Sequence, residues 1–445
     1  MNLSIIELAA KDHPEVLAYD DGQTQIRYGD LRAALSSLPF SKIDLPQSKT
    51  AIAWCPRNDA ESLLTFWAIQ LRGAVACPIS HRFPIETRQQ IIDRIAAHWL
   101  PDFLANRRSA TPPSRPFLEG ESSAATLILS SGSTGEPKAI VHSLAAHIES
   151  AHGAASNMPL SPGDRWLWSL PLCHVSGLSI LIRCAVAAAT VVGIPEDAGL
   201  SVDLLSKQRI THLSLVTTQL RRLMAEKSFP SPYLKAVLLG GSSVDEALVR
   251  AARQRGVPVS TTYGLSETAS QVTTSTIVDD PGSSGTVLPG RELKLNPAGE
   301  VLVRGKTLCL GYYRGAQIES VLDADGWFAT GDLGRLDDQG RLFVNGRIDN
   351  MFISGGENIH PESIERAMRS LFSIEDVVVV PRPDQAFGFR PVAFVRGELP
   401  ADWEQQLRSR LQGYEIPQAI FALPPNEAGS IKPNRRLLRE LATVL

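Results

Sequence analysis

The sequence contains few cysteines, and they do not follow a cross-linking or metal-binding pattern. The five are Cys55, Cys77, Cys173, Cys184 and Cys309. An odd number without any C-x-x-C pair argues against both a disulfide framework and a structural zinc site. We therefore expect buried thiols in a protein of a reducing compartment.

Long uncharged apolar runs are also missing. The longest apolar stretch, Leu178 to Ile194, contains Arg183 and is shorter than the ~20 residues of a membrane-spanning helix. The N-terminal sequence MNLSIIELAAKDHPEV meets acidic residues and a proline too early to form the apolar segment of a signal peptide. We therefore expect a cytoplasmic protein that does not associate with membranes.

Neither sign of charge is in large excess. Lysine and arginine number 44, aspartate and glutamate number 47, and the formal net charge is −3. This balance provides no basic field for nucleic acid or anionic lipid, so an anionic ligand must be bound by local groups. With 43% hydrophobic and 20% charged residues, the composition is that of an ordinary globular protein. The sequence leaves a homo-oligomer open.

Short β-branched runs alternate with helical patterns in the first large region of the chain. The runs are TLILSS (126–131), TVVGI (190–194), HLSLVTT (212–218), AVLLGG (236–241) and VPVSTTYG (257–264). Helical patterns such as Gln219 to Glu226 and Val244 to Arg255 lie between them. The alternation predicts an α/β region with parallel strands and crossover helices.

The pattern changes near Pro281. GEVLVRG (299–305), GWFATGDLGRL (326–336) and GRLFVNGR (340–347) predict a small antiparallel β subdomain over 280–346. A helix from Pro361, strands at 375–380 and 391–397, and a helix from Trp403 to Leu411 predict a separate small α+β domain. At roughly 150 residues per domain, 445 residues accommodate two or three domains. The patterns therefore predict a large N-terminal region followed by a small C-terminal domain.

The segment LILSSGSTGEPKAIVHS, residues 127 to 143, joins an apolar run to a Ser-, Gly- and Thr-rich turn that ends at Lys138. Such a loop after a strand presents N–H and hydroxyl donors to a polyphosphate, and the lysine offsets its charge. It is not a Walker A loop, because Gly132 and Gly135 lie three residues apart and no Ser or Thr follows the lysine. For this segment alone, a solvated surface turn is the alternative.

Further motifs follow in a fixed order. They are TYGLSET (262–268), GWFATGD (326–332), GRIDNMFISGGENIHPESIE (346–365) and Lys432 in GSIKPNRRLLRE. With the loop at 130–138, they resemble the adenylate-forming superfamily of acyl-CoA synthetases, non-ribosomal adenylation domains and luciferases. The resemblance covers nearly the whole chain and implies an α/β N-terminal domain followed by a mobile α+β C-terminal domain. It implies an enzyme that activates a carboxylic acid with ATP and Mg²⁺ and passes the acyl group to a thiol, here CoA.

The resemblance also implies a nucleotide site. Tyr263 would stack on adenine, and Asp332 would accept hydrogen bonds from both ribose hydroxyls. Glu267 would help to hold Mg²⁺, which takes only one or two carboxylates beside phosphates. The implied ATP- and AMP-binding residues are Ser130, Ser131, Gly132, Ser133, Thr134, Gly135, Lys138, Gly240, Gly241, Ser242, Thr262, Tyr263, Gly264, Asp332 and Arg347. Taken without the motif order, the glycines at 240 and 241 are also compatible with a plain strand-end turn.

The same resemblance implies three catalytic residues and a moving domain. Lys432 would stabilise the charge that develops during adenylation. Ile431 precedes this lysine where many members of the superfamily have glycine. Arg347 would contact the ribose and phosphate, and His174 would border the route of the thiol. Asp349 would be the hinge between an N-terminal domain over 1–348 and a C-terminal domain over 349–445, about which the small domain rotates. The implied CoA channel consists of Ser354, Gly355, Gly356, Glu357 and Asn358.

The segments SLPLCHVSGLS (169–179), HLSLVTTQLRRLM (212–224) and LLGGSSV (238–244), with the compact length, most resemble the o-succinylbenzoate-CoA ligase branch, which acts in menaquinone synthesis. That substrate has two carboxylates and a ketone, and only one carboxylate is activated. The remaining polar groups need donors once they are buried. The candidate donors are Ser176, Arg222, Thr268 and Ser270. Another aryl- or fatty-acyl-CoA ligase, a carrier-protein-loading enzyme and a non-catalytic nucleotide-binding regulator remain alternatives.

Overall fold

The computed structural model describes residues 4–37, 50–100, 123–130, 137–194, 199–241, 245–425 and 433–445, which form mixed α/β layers. In these residues the α-helices are Ile5–Asp12, Leu31–Ser37, Ala60–Leu71, Ile85–Ile95, Leu144–Ala155, Val175–Ala187, Val202–Lys207, Thr217–Ala225, Glu246–Gln254, Pro361–Leu371, Trp403–Leu407 and Arg435–Val444. Short 3₁₀ turns span Tyr28–Asp30, Ser266–Thr268 and Ile348–Asn350.

A nine-stranded sheet organises the N-terminal domain. Its strands, in spatial order, are Thr286–Val287, Ser270–Thr274, Val259–Leu265, Ala236–Leu239, His212–Leu215, Arg165–Leu167, Thr190–Val192, Leu17–Asp20 and Gln25–Arg27. The strands from Val259–Leu265 to Leu17–Asp20 are parallel, which confirms the predicted α/β region. The strands beyond them are antiparallel, because each is joined to its neighbour by a short connection that cannot cross over.

A seven-stranded sheet forms the second layer. Its strands, in spatial order, are Gln317–Glu319, Gly311–Arg314, Lys138–Ser143, Ala124–Ser130, Val75–Pro78, Ala51–Trp54 and His98–Trp99. The first two belong to the segment 280–346, which the sequence predicts to be a separate β subdomain. That prediction is wrong for residues 311–319, since Gly311–Arg314 pairs with the distant strand Lys138–Ser143. It is also wrong for Thr286–Val287, which pairs with Ser270–Thr274 of the nine-stranded sheet.

Helices lie between the two sheets and share one core with both. Ile52 and Ile128 come from the seven-stranded sheet, Trp166 from the nine-stranded sheet, and Phe66 and Leu178 from the intervening helices. All five are almost completely buried. Burying a side chain of this size contributes about 1.5–3 kcal/mol, so this shared core holds the two sheets in a fixed relation.

The remaining part of the β subdomain is a four-stranded antiparallel sheet. Its strands, in spatial order, are Arg291–Leu295, Glu300–Gly305, Phe328–Leu336 and Leu342–Arg347. Val301, Val303, Phe328 and Leu342 form its core together with Tyr263 of the nine-stranded sheet. The predicted strands near 300, 330 and 343 are therefore confirmed, and they pack directly beside the carboxyl end of Val259–Leu265.

The C-terminal part has its own core. A hairpin, Phe352–Ser354 and Glu357–Ile359, precedes a three-stranded sheet of Asp376–Asp384, Gly388–Arg396 and Ile420–Ala422. The predicted helix from Trp403 ends at Leu407 rather than Leu411, and the Ser409 hydroxyl donates to the Gln406 carbonyl just beyond it. The helix Arg435–Val444 is a further element that the sequence analysis did not predict, and Asn434 caps its N-terminus.

The five cysteines are buried and none forms a disulfide, as predicted. In the part of the chain that the structure describes, no helix combines the length and the apolar character needed to span a bilayer.

Candidate active site at the carboxyl edge of the nine-stranded sheet

The parallel strands of the nine-stranded sheet end at a common edge, where segments predicted to bind ligands follow them. Gly240 and Gly241 come directly after Ala236–Leu239, and Tyr263 lies near the end of Val259–Leu265. Carboxyl ends of parallel strands form the usual ligand crevice in open α/β sheets. The predicted nucleotide residues of these two strands are therefore neighbours in the fold. Gly240 lies so close to Thr262 that a Cβ on it would come within 2.6 Å of the threonine Cγ2.

Gly264 permits a sharp departure from regular strand pairing. The register of Val259–Leu265 against Ser270–Thr274 shifts between Tyr263 and Gly264. A Cβ at position 264 would lie 1.8 Å from the Ser270 carbonyl oxygen, so only glycine fits. The 3₁₀ turn that carries Glu267 follows immediately. The bulge therefore sets the direction in which the Glu267 carboxylate leaves the sheet.

Tyr263, Asp332 and Arg347 form one hydrogen-bonded group. The Tyr263 hydroxyl donates to Asp332 Oδ2 at 2.7 Å, and Arg347 Nη1 donates to Asp332 Oδ1 at 3.2 Å. Burial, together with the Asp332 charge, raises the pKa of Tyr263 well above its usual value. Burial alone would lower the pKa of Arg347, but the Asp332 and Asp349 carboxylates raise it. The opposite charges of Asp332 and Arg347 therefore hold these three side chains together.

Arg347 also connects this group to the predicted hinge. Its Nη2 donates to Asp349 Oδ2 at 3.3 Å, and Asp349 lies exposed in the 3₁₀ turn Ile348–Asn350. Asp332 and Arg347 are opposite each other on neighbouring strands of the β subdomain. The predicted ribose ligand, the predicted phosphate contact and the hinge are thus adjacent along one short segment.

A second polar group contains Lys138, Tyr312 and Glu267. The Tyr312 hydroxyl donates to Glu267 Oε1 at 2.8 Å, and Lys138 Nζ lies 5.1 Å from the centre of the Tyr312 ring. Burial, reinforced by the Glu267 charge, raises the pKa of Tyr312, while the nearby Arg347 opposes the shift. Arg347 therefore lies within electrostatic reach of both groups. Tyr312 was missed by the sequence analysis, because nothing local to it indicates a site.

Ser130 and Lys138 face each other across paired strands, one at the last and one at the first residue of its strand. The predicted phosphate-binding residues between them lie outside the described residues, as do one residue of the predicted adenine turn and the predicted catalytic lysine. These residues are Ser131, Gly132, Ser133, Thr134, Gly135, Ser242 and Lys432.

His174 and Ser176 lie where the helix Val175–Ala187 begins. His174 is the residue that precedes the first helical turn, and its carbonyl accepts from the N–H groups of Gly177 and Leu178. The segment before the helix is held by Asn58, whose side chain donates to the carbonyls of Trp168 and Leu170. Both predicted residues therefore lie at the same edge of the sheet as Gly240 and Tyr263.

Two turns along this helix, Arg183 is buried without a carboxylate partner among the described residues. Its Nη2 donates to Gln271 Oε1 at 2.6 Å and to the Ser270 hydroxyl at 3.2 Å, and its guanidinium lies 5.3 Å from the Trp166 ring. Its Nε has no hydrogen-bond partner in the part of the chain that the structure describes. Burial, followed by repulsion from Arg291, lowers the pKa of Arg183 to about 9, so the group is a cation at neutral pH.

The other predicted substrate donors differ in their surroundings. Ser270 contacts Arg183, whereas the Thr268 hydroxyl bonds to the backbone of Leu265 and Ser270 within its own turn. Arg222 is exposed on the helix Thr217–Ala225. The structure thus gives no support to Arg222 as a buried donor. Arg183, by contrast, is buried, and in the sequence it is visible only as the interruption of an apolar run.

The predicted CoA-channel residues form the hairpin at the start of the C-terminal part. Ser354 is buried, and its hydroxyl has no hydrogen-bond partner among the described residues, while Glu357 and Asn358 are exposed. The Gly355 N–H donates to the Phe387 carbonyl at 2.9 Å, and Gly356 completes the turn. The hairpin is therefore anchored to the three-stranded sheet of the same domain.

Polar contacts link the strand before the predicted hinge to the helix that follows it. Arg366 donates through both terminal nitrogens to the carbonyls of Val344 and Asn345, each at 3.0 Å. On the C-terminal side of Asp349, Asn350 donates to Glu362 Oε1 at 2.6 Å. In addition, Arg439 of the last helix donates to the Asp349 carbonyl at 3.4 Å.

Comparison with known proteins agrees with this arrangement. The profile of the AMP-binding enzyme family matches residues 94–313. The 2-succinylbenzoate–CoA ligase of Escherichia coli K12 is 36% identical over 399 residues, covering 87% of this chain and 86% of the relative.

Two solved structures are similar over nearly the whole length. An E. coli MenE variant with bound OSB-AMS has a TM-score of 0.87 at 31% identity, with 100% of both chains covered. O-succinylbenzoate coenzyme A synthetase (MenE) from Bacillus subtilis, in complex with ATP and a magnesium ion, has a TM-score of 0.83 at 26% identity, with 98% of both chains covered. On the strength of the sequence identity and its coverage, the chain belongs to the 2-succinylbenzoate–CoA ligase family of AMP-binding enzymes.

Proposed function

We propose that this chain converts 2-succinylbenzoate, ATP and CoA into 2-succinylbenzoyl-CoA, AMP and diphosphate, a step of menaquinone biosynthesis. The reaction has two stages. A substrate carboxylate first attacks the α-phosphate of ATP and displaces diphosphate, and the CoA thiol then attacks the acyl carbon and displaces AMP. Membership of the ligase family supports the reaction type, and the surroundings of Arg183 support the choice of acid.

The observation that carries the substrate assignment is a buried cation with no acidic partner among the described residues. Arg183 is only 4% exposed, and its described polar partners, Ser270 and Gln271, are neutral. A buried charge is costly unless it is paired with an opposite charge. A carboxylate of the substrate would supply that pair, and a guanidinium binds a carboxylate through two parallel hydrogen bonds. The acid therefore carries a second carboxylate that is not activated.

Ser176 and Ser270 are suited to the other polar groups of the same acid. Ser176 precedes Arg183 by seven residues on one helix, which places both on the same face about 10 Å apart along the axis. Ser270 touches the guanidinium directly. This spacing favours an extended acid with polar groups along its length over an unsubstituted fatty acid.

The nucleotide end is supported by the group around Asp332. The carboxylate has lone pairs beyond those used by Tyr263 and Arg347, so it can accept from two ribose hydroxyls. The Tyr263 ring would stack on adenine beside Gly240 and Gly241. Lys138, with the loop of residues 131–135, would bind the β- and γ-phosphates.

The residues near Glu267 fit a magnesium ion bound together with ATP. Glu267 offers hard carboxylate oxygens, and Mg²⁺ beside phosphates takes only one or two carboxylates from a protein. When bound, the ion would neutralise phosphate charge as diphosphate departs. Glu267 would hold the ion, and Tyr312 keeps the Glu267 carboxylate oriented through its hydrogen bond.

Two stages around one acyl-adenylate require two sets of groups, so we propose that residues 349–445 rotate about Asp349 relative to residues 1–348. Lys432 would approach the α-phosphate in the first stage. At ~4 Å and an effective dielectric constant near 20, its attraction to one negative charge is about 4 kcal/mol. The hairpin of Ser354 to Asn358 would line the thiol channel in the second stage, with His174 at its inner end. The exposure of Asp349 supports this motion.

The test is the formation of AMP, diphosphate and acyl-CoA from a panel of acids by the purified chain. The panel contains 2-succinylbenzoate, its two analogues that each lack one carboxylate, benzoate and a fatty acid. We expect CoA-dependent turnover of 2-succinylbenzoate to exceed that of every other acid. A preference for benzoate or the fatty acid would overturn the substrate assignment. Adenylation without acyl transfer to free CoA would indicate a carrier-protein-loading enzyme, and ATP binding without turnover of any acid would indicate a regulator.

A further inference from the structure

Tyr312 lies between the two oppositely charged side chains that face the phosphates in the proposed complex. Its hydroxyl donates to Glu267 Oε1, and the face of its ring is turned toward Lys138 Nζ. The sequence motifs assign no role in binding or catalysis to Tyr312. Its position nevertheless determines how the carboxylate and the ammonium are arranged relative to each other.

The fold holds this tyrosine from both sides. Tyr312 pairs with Ile140 on the strand that begins at Lys138, so its side chain lies next to the lysine. Gly311 has φ 144°, and a Cβ there would lie 2.1 Å from the Glu319 carbonyl, so only glycine fits before the tyrosine. The adjacent Tyr313 is buried in the core on the opposite face of the strand.

The backbone at Glu267 is also held in place by hydrogen bonds. The Cys309 N–H donates to the Glu267 carbonyl at 2.7 Å. The carbonyl of Ser266, one residue earlier, is 2.7 Å from Nε2 of the buried His142. The hydroxyl of Tyr312 therefore meets a carboxylate whose main chain is already in place. One hydrogen bond is then enough to set the orientation of the carboxylate.

The arrangement keeps two opposite charges from neutralising each other. No ion pair joins Lys138 to an acidic side chain within the described ranges, although Glu267 is bonded to the tyrosine that Lys138 contacts. An aromatic face attracts an ammonium group without removing its charge. A direct pair between Lys138 and Glu267 would occupy the groups that a polyphosphate and a metal ion require. The tyrosine separates them while it contacts both.

We propose that Tyr312 is a positioning residue for the ATP–metal complex, which orients Glu267 toward the ion and holds Lys138 apart from it for the phosphates. This rests on the proposed function, since it assumes that ATP binds at this site with Mg²⁺. The hydroxyl acts on the metal through Glu267, and the ring acts on the phosphates through Lys138. The two contributions are separable by substitution.

The experiment measures ATP binding by calorimetry with Mg²⁺ present and with the metal removed by EDTA, without acid or CoA. The variants of the full chain are Tyr312→Phe, which keeps the ring, Tyr312→Leu, which removes it, and Tyr313→Phe as the matched control. For Tyr312→Phe we expect about tenfold weaker binding with Mg²⁺, which corresponds to the loss of one hydrogen bond to a charged group, and unchanged binding without metal. Tyr312→Leu weakens both, and Tyr313→Phe changes neither.

A second background distinguishes positioning from general damage. In a Glu267→Gln chain, Tyr312→Phe should cause no further loss of metal-dependent binding, because the carboxylate that it orients is gone. Equal losses with and without metal, a full loss in the Glu267→Gln background, or unchanged binding by Tyr312→Phe would overturn the role of Tyr312. If the unsubstituted chain binds ATP no better with Mg²⁺ than without it, the proposed nucleotide site itself fails.

Discussion

The proposed nucleotide end and the proposed acyl end of the candidate site differ in how their charges are balanced. At the nucleotide end, Arg347 is paired with Asp332 and Asp349, and Tyr263 completes the group. At the acyl end, the buried Arg183 contacts only neutral groups among its described partners. In the first arrangement the charges are paired within the protein, whereas in the second no described acidic side chain pairs with the arginine.

This difference indicates which part of the site selects the substrate. A preformed, charge-balanced group binds a nucleotide common to many enzymes and gains little discrimination from it. A buried cation that lacks a partner binds an acid with a matching carboxylate more tightly than an acid without one. We infer that specificity resides at the acyl end, and the following predictions test that contrast.

The largest effect is expected where the two ends meet, at the α-phosphate. Lys432→Ala should lower the rate of acyl-adenylate formation by about three orders of magnitude, the factor that ~4 kcal/mol of lost transition-state attraction implies. Chemically supplied acyl-adenylate should still react with CoA at the normal rate. The two half-reactions are measured as diphosphate exchange and thioester formation. Equal loss of both rates would show that the lysine does not act in one stage only.

The next effect compares two arginines on different helices. Arg183→Gln should lower kcat/KM for 2-succinylbenzoate by about 100-fold, because truncating one partner of a buried charge pair costs 2–5 kcal/mol. Arg222→Gln is the matched control, and we expect it to leave kcat/KM unchanged because Arg222 is exposed. ATP affinity should not change in either variant. A larger loss for Arg222→Gln would reverse the assignment of the acyl end.

A smaller effect is expected at the nucleotide end. Asp332→Asn should weaken ATP binding by about tenfold, since it removes the charge that accepts from Arg347 and from the ribose. The ratio of activities with 2-succinylbenzoate and its one-carboxylate analogues should stay the same. Isothermal calorimetry and the acid panel provide the two measurements. A changed ratio would break the separation of the two ends.

The smallest effect concerns stability under the nucleotide end. Burial lowers the pKa of His142 to about 4, so the unfolded chain binds a proton between pH 6.5 and 4 that the folded chain does not. The free energy of unfolding therefore falls as the pH falls through this window, by up to ~1.4 kcal/mol per pH unit for one histidine.

Urea unfolding at pH 7 and at pH 5 measures this contribution. His142→Gln should reduce the difference between the two pH values, because glutamine does not titrate, while its amide can still donate to the Ser266 carbonyl. If the free energy of unfolding changes by the same amount between pH 7 and pH 5 in the variant and in the unsubstituted chain, His142 does not contribute to the pH dependence.

Much of the fold could be predicted from local pattern. The strands near 126, 212, 236 and 259 are apolar runs between turn residues, and the structure contains a strand at each. Pairings between distant segments could not be predicted in this way. Residues 311–319 carry the same Gly-punctuated pattern as the β subdomain, yet they pair with Lys138–Ser143, because register is decided by partners far away in the chain.

The same limit applies to the site. The motifs around Tyr263, Asp332 and Arg347 are visible in the sequence, and the structure brings these three side chains together. Arg183 has no motif around it, and its meaning depends on burial against Trp166 and Gln271. The available signal in the sequence was a charged residue on an apolar helix, two turns after His174 and Ser176. The sequence does not show that Arg222 is exposed. It therefore could not indicate which of the two arginines is the better candidate for binding the substrate.

The central claim is that Arg183 pairs with the substrate carboxylate that is not activated. The most direct measurement is a cycle of kcat/KM values for the unsubstituted chain and Arg183→Gln, each with 2-succinylbenzoate and with the analogue that lacks this carboxylate. We predict a loss of about 100-fold on the two-carboxylate acid and little loss on the analogue, so that the effects of deleting the arginine and the carboxylate are not additive. The same fold loss on both acids would contradict the claim.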